Sequence, residues 1–172
     1  MSGPKKLAAD IYFERSHFAQ PCLEHLIVAP LWVAYEVNLG TLLRSCDAVG
    51  ACMAVPNTGH YQRSLNRGDT LQGRRPHIHW VRPNREAWIK RKRTDGWRFV
   101  AAELALNSTP LPELTPAVTP TILLLGNERE GIPDSILSEV DESVEIPMSG
   151  WGGSLNVAVA GSLVLYRLAG MS

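Results

Sequence analysis

The chain has 172 residues and carries 17 basic and 17 acidic side chains. That length fits one domain burying about two-thirds of its unfolded surface, and the even balance excludes a wholesale polycation. The balance is not local: Arg63 to Arg98 holds eleven bases against three acids, whereas nine acids face two arginines after Ala102.

Residues 1–24 read as an N-terminal arm, with a basic Lys5-Lys6 pair and one docking turn suggested by Ile11, Tyr12, Phe13 and Phe18. No apolar signal core follows the start, so a soluble, cytoplasmic protein with no membrane span is expected. Cys22, Cys46 and Cys52 show no C-x-x-C spacing. Neither zinc nor a disulfide framework is indicated, and a reducing compartment fits.

From residue 25 the chain reads as a single domain. His25 to Ala29 is a short apolar run of the kind that forms a buried strand. Asn38-Leu39-Gly40-Thr41 then opens a helix, with Asn38 as its N-cap and Leu39, Leu42, Leu43 and Cys46 on one face. Arg44 lies off that stripe; it either leans over the cleft bordered by the preceding loop or is an ordinary exposed helix arginine. Gly50 closes the helix. Ala51 to Val55 is a second strand. Arg63 and Arg67 share the face of a short helix. His77 to Val81 alternates as a third strand; His77 and His79 share a face, but no cysteine or carboxylate follows at ligand spacing, so no metal is expected. Asn84 to Arg93 is a helix with Trp88 and Ile89 inward and a basic outer face. Trp97 to Ala102 is a fourth strand, and the proline-rich run from Asn107 to Pro120 is a surface connection.

Thr121 to Leu125 is the most apolar strand and runs into Gly126-Asn127-Glu128-Arg129-Glu130-Gly131. The glycine spacing is that of a phosphate loop, but Ile132-Pro133 stands where Lys-Ser/Thr is required, and no G-x-G-x-x-G follows any strand. Pro133 starts a helix to Val140, and Ser143 to Ile146 is the last strand. Ser149 to Gly153 then holds three glycines among five residues, a turn able to wrap something closely. Ser154 is placed to cap a final helix from Leu155 that is apolar nearly all round, and such a helix is buried in a core or against a partner chain. Plain capping is an alternative reading for both Ser154 and Asn156.

Strands alternating with helices predict an α/β domain with a mainly parallel sheet and helices on both faces. Ligands in such sheets bind beyond the carboxyl ends of the strands. Three loops fall there: Glu103 to Asn107, Gly126 to Gly131 and Met148 to Gly153. They offer backbone groups and apolar walls rather than charges, which suits a ligand other than a triphosphate.

Three blocks carry a resemblance: NLGTLLRSCDAVG at Asn38 to Gly50, LLLGNEREGIP at Leu123 to Pro133, and IPMSGWGGSLNVAVA at Ile146 to Ala160. Together they resemble the motifs of the TrmH branch of the SPOUT superfamily, RNA methyltransferases that act on a ribose 2′-hydroxyl. The resemblance implies S-adenosylmethionine as cofactor, RNA (first of all tRNA) as substrate, a homodimer packed through its first and last helices, and a deep trefoil knot over residues 121–170. By position it implies catalytic roles for Arg44, Asn38, Glu128, Ser154 and Asn156. Cofactor contacts are implied for Leu104, Gly126, Asn127, Ile146, Met148, Ser154 and Leu155. The arm carries only Lys5, Lys6 and Arg15, so phosphate contacts are expected from the middle segment, at Arg63, Arg67, Arg74, Arg75, Arg91 and Arg93. The same chemistry on rRNA, or a non-catalytic RNA-binding protein of this fold, is the alternative.

Overall fold

The computed structural model describes residues 23–68 and 75–171; the docking turn expected in the arm, and Arg74, lie outside them. Among the described residues, seven strands form one sheet: β1 (Leu23–Ala29), β2 (Ala51–Pro56), β3 (Ile78–Val81), β4 (Arg98–Ala102), β5 (Thr109–Pro110), β6 (Thr121–Leu124) and β7 (Glu142–Glu145). Their order across the sheet is β3-β2-β1-β6-β4-β7-β5. Every pairing is parallel. The late strand β6 is thus inserted between β1 and β4, in register with both: Ile27 and Phe99 flank Ile122.

Alternation along the central strands sends side chains to two cores. Leu26 and Val28 join a cluster with Leu39, Leu42, Leu43, Leu65, Val164 and Leu165. This face is covered by α1 (Glu36–Val49), α2 (Gly59–Gly68) and α5 (Val157–Leu168). Ile27 and Ala29 join the opposite cluster with Trp88, Ile89, Phe99 and Ile136, under α3 (Arg85–Thr94) and the single turn α4 (Asp134–Leu137). The expected parallel α/β sheet with helices on both faces is the observed one.

Local differences from the sequence reading have identifiable causes. Helix α1 starts at Glu36, so Asn38 lies inside its first turn and the cap position falls to Tyr35 without a side-chain cap. Helix α5 starts at Val157, and its cap is Asn156, not Ser154: Asn156 Oδ1 accepts from the amides of Ala158 (2.9 Å) and Val159 (3.3 Å). Helix α4 stops at Leu137, short of Val140, with Pro133 at its cap position rather than inside it. The proline-rich connection is interrupted by β5 and a 3-10 turn, Leu111–Glu113; β5 is an edge strand, where a proline is tolerated. Cys46 is a free, buried thiol, and Cys22 lies outside the described residues. No helix among the described residues is long and apolar enough to cross a membrane.

Because all strands run one way, the segments after β1, β4, β6 and β7 emerge at one edge of the sheet. Helix α5 is drawn tightly against this structure at Gly161. A Cβ there would sit 2.6 Å from a Leu125 methyl and 3.0 Å from a Leu42 methyl. Beside it, the Ser45 and Ser162 hydroxyls meet at 2.7 Å, joining α1 to α5.

Candidate active site

The centre of the carboxyl edge is a polar chain built from three distant segments. Glu128, after β6, accepts from the amides of Ala34 (3.0 Å) and Tyr35 (3.1 Å) and from Asn38 Nδ2 (2.8 Å). Asn38 Oδ1 accepts from Asn156 Nδ2 at 3.0 Å. Asn156 in turn caps α5. Asn38 is buried, at 4% exposure, and a buried carboxamide is tolerated only when both ends are bonded, as they are here. Partial burial pushes the Glu128 carboxyl upward, but the hydrogen bonds from Ala34, Asn38 and Tyr35 outweigh it and hold the group below its usual range. Glu128 is therefore a fixed carboxylate near neutral pH, suited to organising the site rather than to carrying protons.

The segment between β1 and α1 is secured at each residue from Leu31 to Tyr35. The phenol of Tyr61, on α2, donates to the carbonyls of Leu31 (3.0 Å) and Val33 (2.9 Å). Arg85 Nε donates to the Leu31 carbonyl at 2.7 Å, and Asn127 Nδ2 donates to that of Trp32 at 3.2 Å. Glu128 takes the last two amides. Burial pushes the Tyr61 phenol up, with Arg85 acting the other way, so Tyr61 is a neutral clamp and not a nucleophile.

The loop after β6 is a closed turn. Asn127 and Gly131 exchange backbone hydrogen bonds of 2.9 and 3.0 Å, and Asn127 Oδ1 accepts from the amides of Arg129 and Glu130. Gly126 has no room for a side chain: a Cβ would lie 2.3 Å from the Gly131 carbonyl carbon and 2.5 Å from the Ile132 nitrogen. Gly131 adopts φ +68°, the left-handed region. Glu103, at the end of β4, reaches across and accepts from the Ile132 amide at 3.1 Å, tying two of the three candidate ligand loops together.

The third loop follows β7. Met148, Leu155 and, across from β4, Leu104 are exposed apolar side chains at this edge. Ile146 packs partly against the core, and Ser154 is exposed in the loop. Arg44 sits on the exposed face of α1 with Val37 and Thr41; the hydrogen bonds of the polar chain run through Asn38. Of the candidate RNA contacts, Arg63 and Arg91 are exposed. Arg67 pairs with Glu36 at 3.0 Å and Arg75 bonds Asn66. Arg93 is partly buried over the Phe99 ring and bonds the Glu139 carbonyl. Sequence reasoning missed Tyr61, Arg85 and Glu103. Glu103 lay within a loop already singled out, but nothing in the spacing marks any of the three.

The parallel sheet thus carries a backbone-rich carboxyl edge at which an Asn156–Asn38–Glu128 chain gathers residues of three distant segments. The chain belongs to the SpoU rRNA Methylase family, whose profile matches residues 25–166. It is 31% identical to the tRNA (guanosine(18)-2'-O)-methyltransferase TARBP1 of Mus musculus, over 96% of this chain and 11% of that protein. It is 33% identical to the 23S rRNA (guanosine(2553)-2'-O)-methyltransferase RlmP of Bacillus subtilis, over 77% of this chain and 53% of that protein. The tRNA (guanosine(18)-2'-O)-methyltransferase of Aquifex aeolicus is 32% identical, over 83% and 67%. The chain thus spans about half or less of the length of the first two relatives. Among solved structures, the A. aeolicus TrmH/SpoU tRNA modifying enzyme superposes with a TM-score of 0.72 at 27% identity, over 96% of this chain and 84% of that one. The AdoMet-bound rRNA methyltransferase from Sinorhizobium meliloti gives 0.71 at 27% identity, over 87% and 58%.

Proposed function

We propose that the chain is an S-adenosylmethionine-dependent methyltransferase acting on a ribose 2′-hydroxyl of RNA, in the first place tRNA. The observation that carries this reading is the Asn156–Asn38–Glu128 chain, which unites residues 90 and 118 positions apart from the three motif blocks. Two relatives named as tRNA methyltransferases support tRNA; the likeness to RlmP favours, as a second reading, the same chemistry on rRNA.

The residues at the edge fit the cofactor. Leu104, Met148 and Leu155 offer uncovered apolar surface, and the loops present backbone groups. Their one base, Arg129, stands against Glu103, Glu128 and Glu130, so the edge does not repel a sulfonium. Leu104, Gly126, Asn127, Ile146, Met148, Ser154 and Leu155 would hold it. When bound, it supplies a methyl group already activated on a sulfonium. The protein's own task is then mostly positioning. Arg44 is assigned to the ribose hydroxyl and its neighbouring phosphate. A guanidinium stays positively charged, so it stabilises the developing alkoxide rather than serving as a base. Asn38 and Glu128 fix the start of the helix that carries Arg44, and Asn156 fixes the helix opposite.

The remaining features of the reading are proposals of the same standing. A homodimer is supported by the exposed Val159, Leu163 and Tyr166 of α5, which with Thr41, Leu111 and Pro112 line an apolar groove of about 690 Å³. A trefoil knot over residues 121–170 is supported by the insertion of β6 between β1 and β4. The division into an arm of residues 1–24 and one domain of residues 25–172, a cytoplasmic location, and RNA contacts at Arg63, Arg67, Arg74, Arg75, Arg91 and Arg93 complete it. The test is a transfer assay: purified protein, methyl-labelled S-adenosylmethionine and RNA from cells lacking the gene, with Arg44→Ala alongside. Label in one RNA band with the parent alone, on a 2′-O-methylated nucleoside, is the expected result. No label in any band despite cofactor binding would refute the enzyme reading and favour a non-catalytic RNA-binding protein.

A further inference from the structure

Trp151 is the most exposed large apolar side chain among the described residues, at 106%. It sits in the middle of Ser149 to Gly153, and the whole stretch from Pro147 to Leu155 contains no charged residue. The glycines around it are unusual in a second way. A Cβ at Gly150, Gly152 or Gly153 would meet nothing within 4 Å, and none of the three has a positive φ. Neither crowding nor backbone geometry requires glycine at these positions in the conformation seen. Glycine here leaves other backbone conformations accessible.

Position limits what the indole can reach. Trp151 is five residues before Asn156, which bonds Asn38. Five residues span at most about 18 Å, so Trp151 stays within the reach of a few nucleotides of the polar chain that seats the helix carrying Arg44. It is not among the residues lining the apolar groove between α1 and α5, so the face suited to a second copy does not account for it. An exposed indole without local charge, next to an RNA site, matches the stacking platforms that hold unpaired bases.

We propose that Trp151 is a substrate-positioning side chain: its indole stacks on an unpaired nucleobase adjoining the ribose to be methylated, and the flanking glycines let the loop close over it. This rests on the RNA methyltransferase reading above. Stacking of this kind is worth about 5- to 150-fold in affinity per base. Trp151→Ala is therefore expected to raise the KM for RNA by that factor. Trp151→Phe, which keeps an aromatic face, should stay within a few-fold of the parent.

The experiment measures methyl transfer to RNA from cells lacking the gene for parent and both variants. Cofactor affinity is read by calorimetry and mass by light scattering. A raised RNA KM in the alanine variant, partial rescue by phenylalanine, and unchanged cofactor affinity and mass support the proposal. An unchanged RNA KM in an otherwise active protein overturns it and leaves the enzyme reading standing. A fall in cofactor affinity, or a halved mass, also overturns it, because the indole then covers the cofactor or a second copy. A parent that labels no RNA overturns the enzyme reading and this proposal with it.

Discussion

Gly126→Ala should be among the most damaging single-methyl additions in this protein. The new Cβ would lie 2.3 Å from the Gly131 carbonyl carbon, 2.5 Å from the Ile132 nitrogen and 2.7 Å from the Gly131 oxygen. All three are backbone atoms, so no side chain can move aside. Relief requires moving residues 131–132 by roughly 1 Å, which breaks the two Asn127–Gly131 backbone bonds and the Ile132–Glu103 bond. At about 1 kcal/mol each, the loss is about 3 kcal/mol, a large share of a typical stability of roughly 5–15 kcal/mol. For a chain of this size that lowers Tm by about 6–12 °C. Gly131→Ala is the internal control. It also faces a close atom, at 2.6 Å, but that atom is the end of the Glu103 side chain, which can swing away at the loss of its bond to the Ile132 amide, about 1 kcal/mol; with the left-handed φ, about 1–2 kcal/mol, the cost stays at or below that of Gly126→Ala, and both Asn127–Gly131 backbone bonds survive. Urea and thermal unfolding followed by tryptophan fluorescence, with calorimetric titration of S-adenosylmethionine, give both readouts. Gly126→Ala within about 0.5 kcal/mol of the parent, or milder than Gly131→Ala, would show that the closed turn is not what the surrounding contacts enforce.

Tyr61→Phe leaves the carbonyls of Leu31 and Val33 without their phenol donor and should cost about 1–3 kcal/mol in urea unfolding; because it loosens the segment ahead of α1, kcat should fall more than the KM for RNA rises. Acid should destabilise the protein in two steps. His79 is held down to about 4, by burial first and then by His77 and Lys92; an unfolded histidine titrates near 6.5, so the unfolded state binds the extra proton and stability falls as pH drops from 6.5 towards 4. The Glu128 carboxyl titrates below its ordinary value of 4.5, and the stability it contributes above 4.5 disappears as pH falls through the lower, folded value. His79→Gln should flatten the first step alone in pH-dependent thermal unfolding. Arg91→Glu, at an exposed site on α3, should weaken RNA binding, reduce the slope of log affinity against log salt by about 1, and leave cofactor affinity unchanged.

Much of the fold was legible because its signals are local. Apolar runs of four or five residues mark β1, β2, β4 and β6, and Gly50 closes α1 with φ 76° as expected. Strand order was not legible: nothing in Thr121–Leu124 says that it pairs with both β1 and β4, since neighbours in a parallel sheet are chosen by the path of the chain and not by the strand's own pattern. The site divides the same way. The three motif blocks pointed to Asn38, Glu128 and Asn156, whereas the local reading of Asn38 as a helix cap is not what the structure shows. A capping residue is recognised by the helical residues immediately after it; here the partner of Asn38 lies 90 residues away, and Glu128 serves the amides just ahead of α1 that a local cap would leave to water. Tyr61, Arg85 and Glu103 act through backbone carbonyls or amides, which every residue possesses, so their targets leave no mark in the sequence.

The polar chain also fixes its own direction. Glu128 is ionised and accepts only, while the amides of Ala158 and Val159 at the other end donate only. Between those ends each carboxamide has one arrangement that satisfies all partners: Asn156 presents oxygen to α5 and nitrogen to Asn38, and Asn38 presents oxygen to Asn156 and nitrogen to Glu128. A hydroxyl could serve as donor or acceptor, but it has neither the length nor the two fixed ends of a carboxamide. An aspartate at position 38 would set two carboxylates side by side, despite having the same shape as asparagine. The geometry thus demands asparagine at both positions, and it holds only when the ends of β1 and β6 and the start of α5 are all in place. Correct assembly of the sheet is in this way a condition for forming the site.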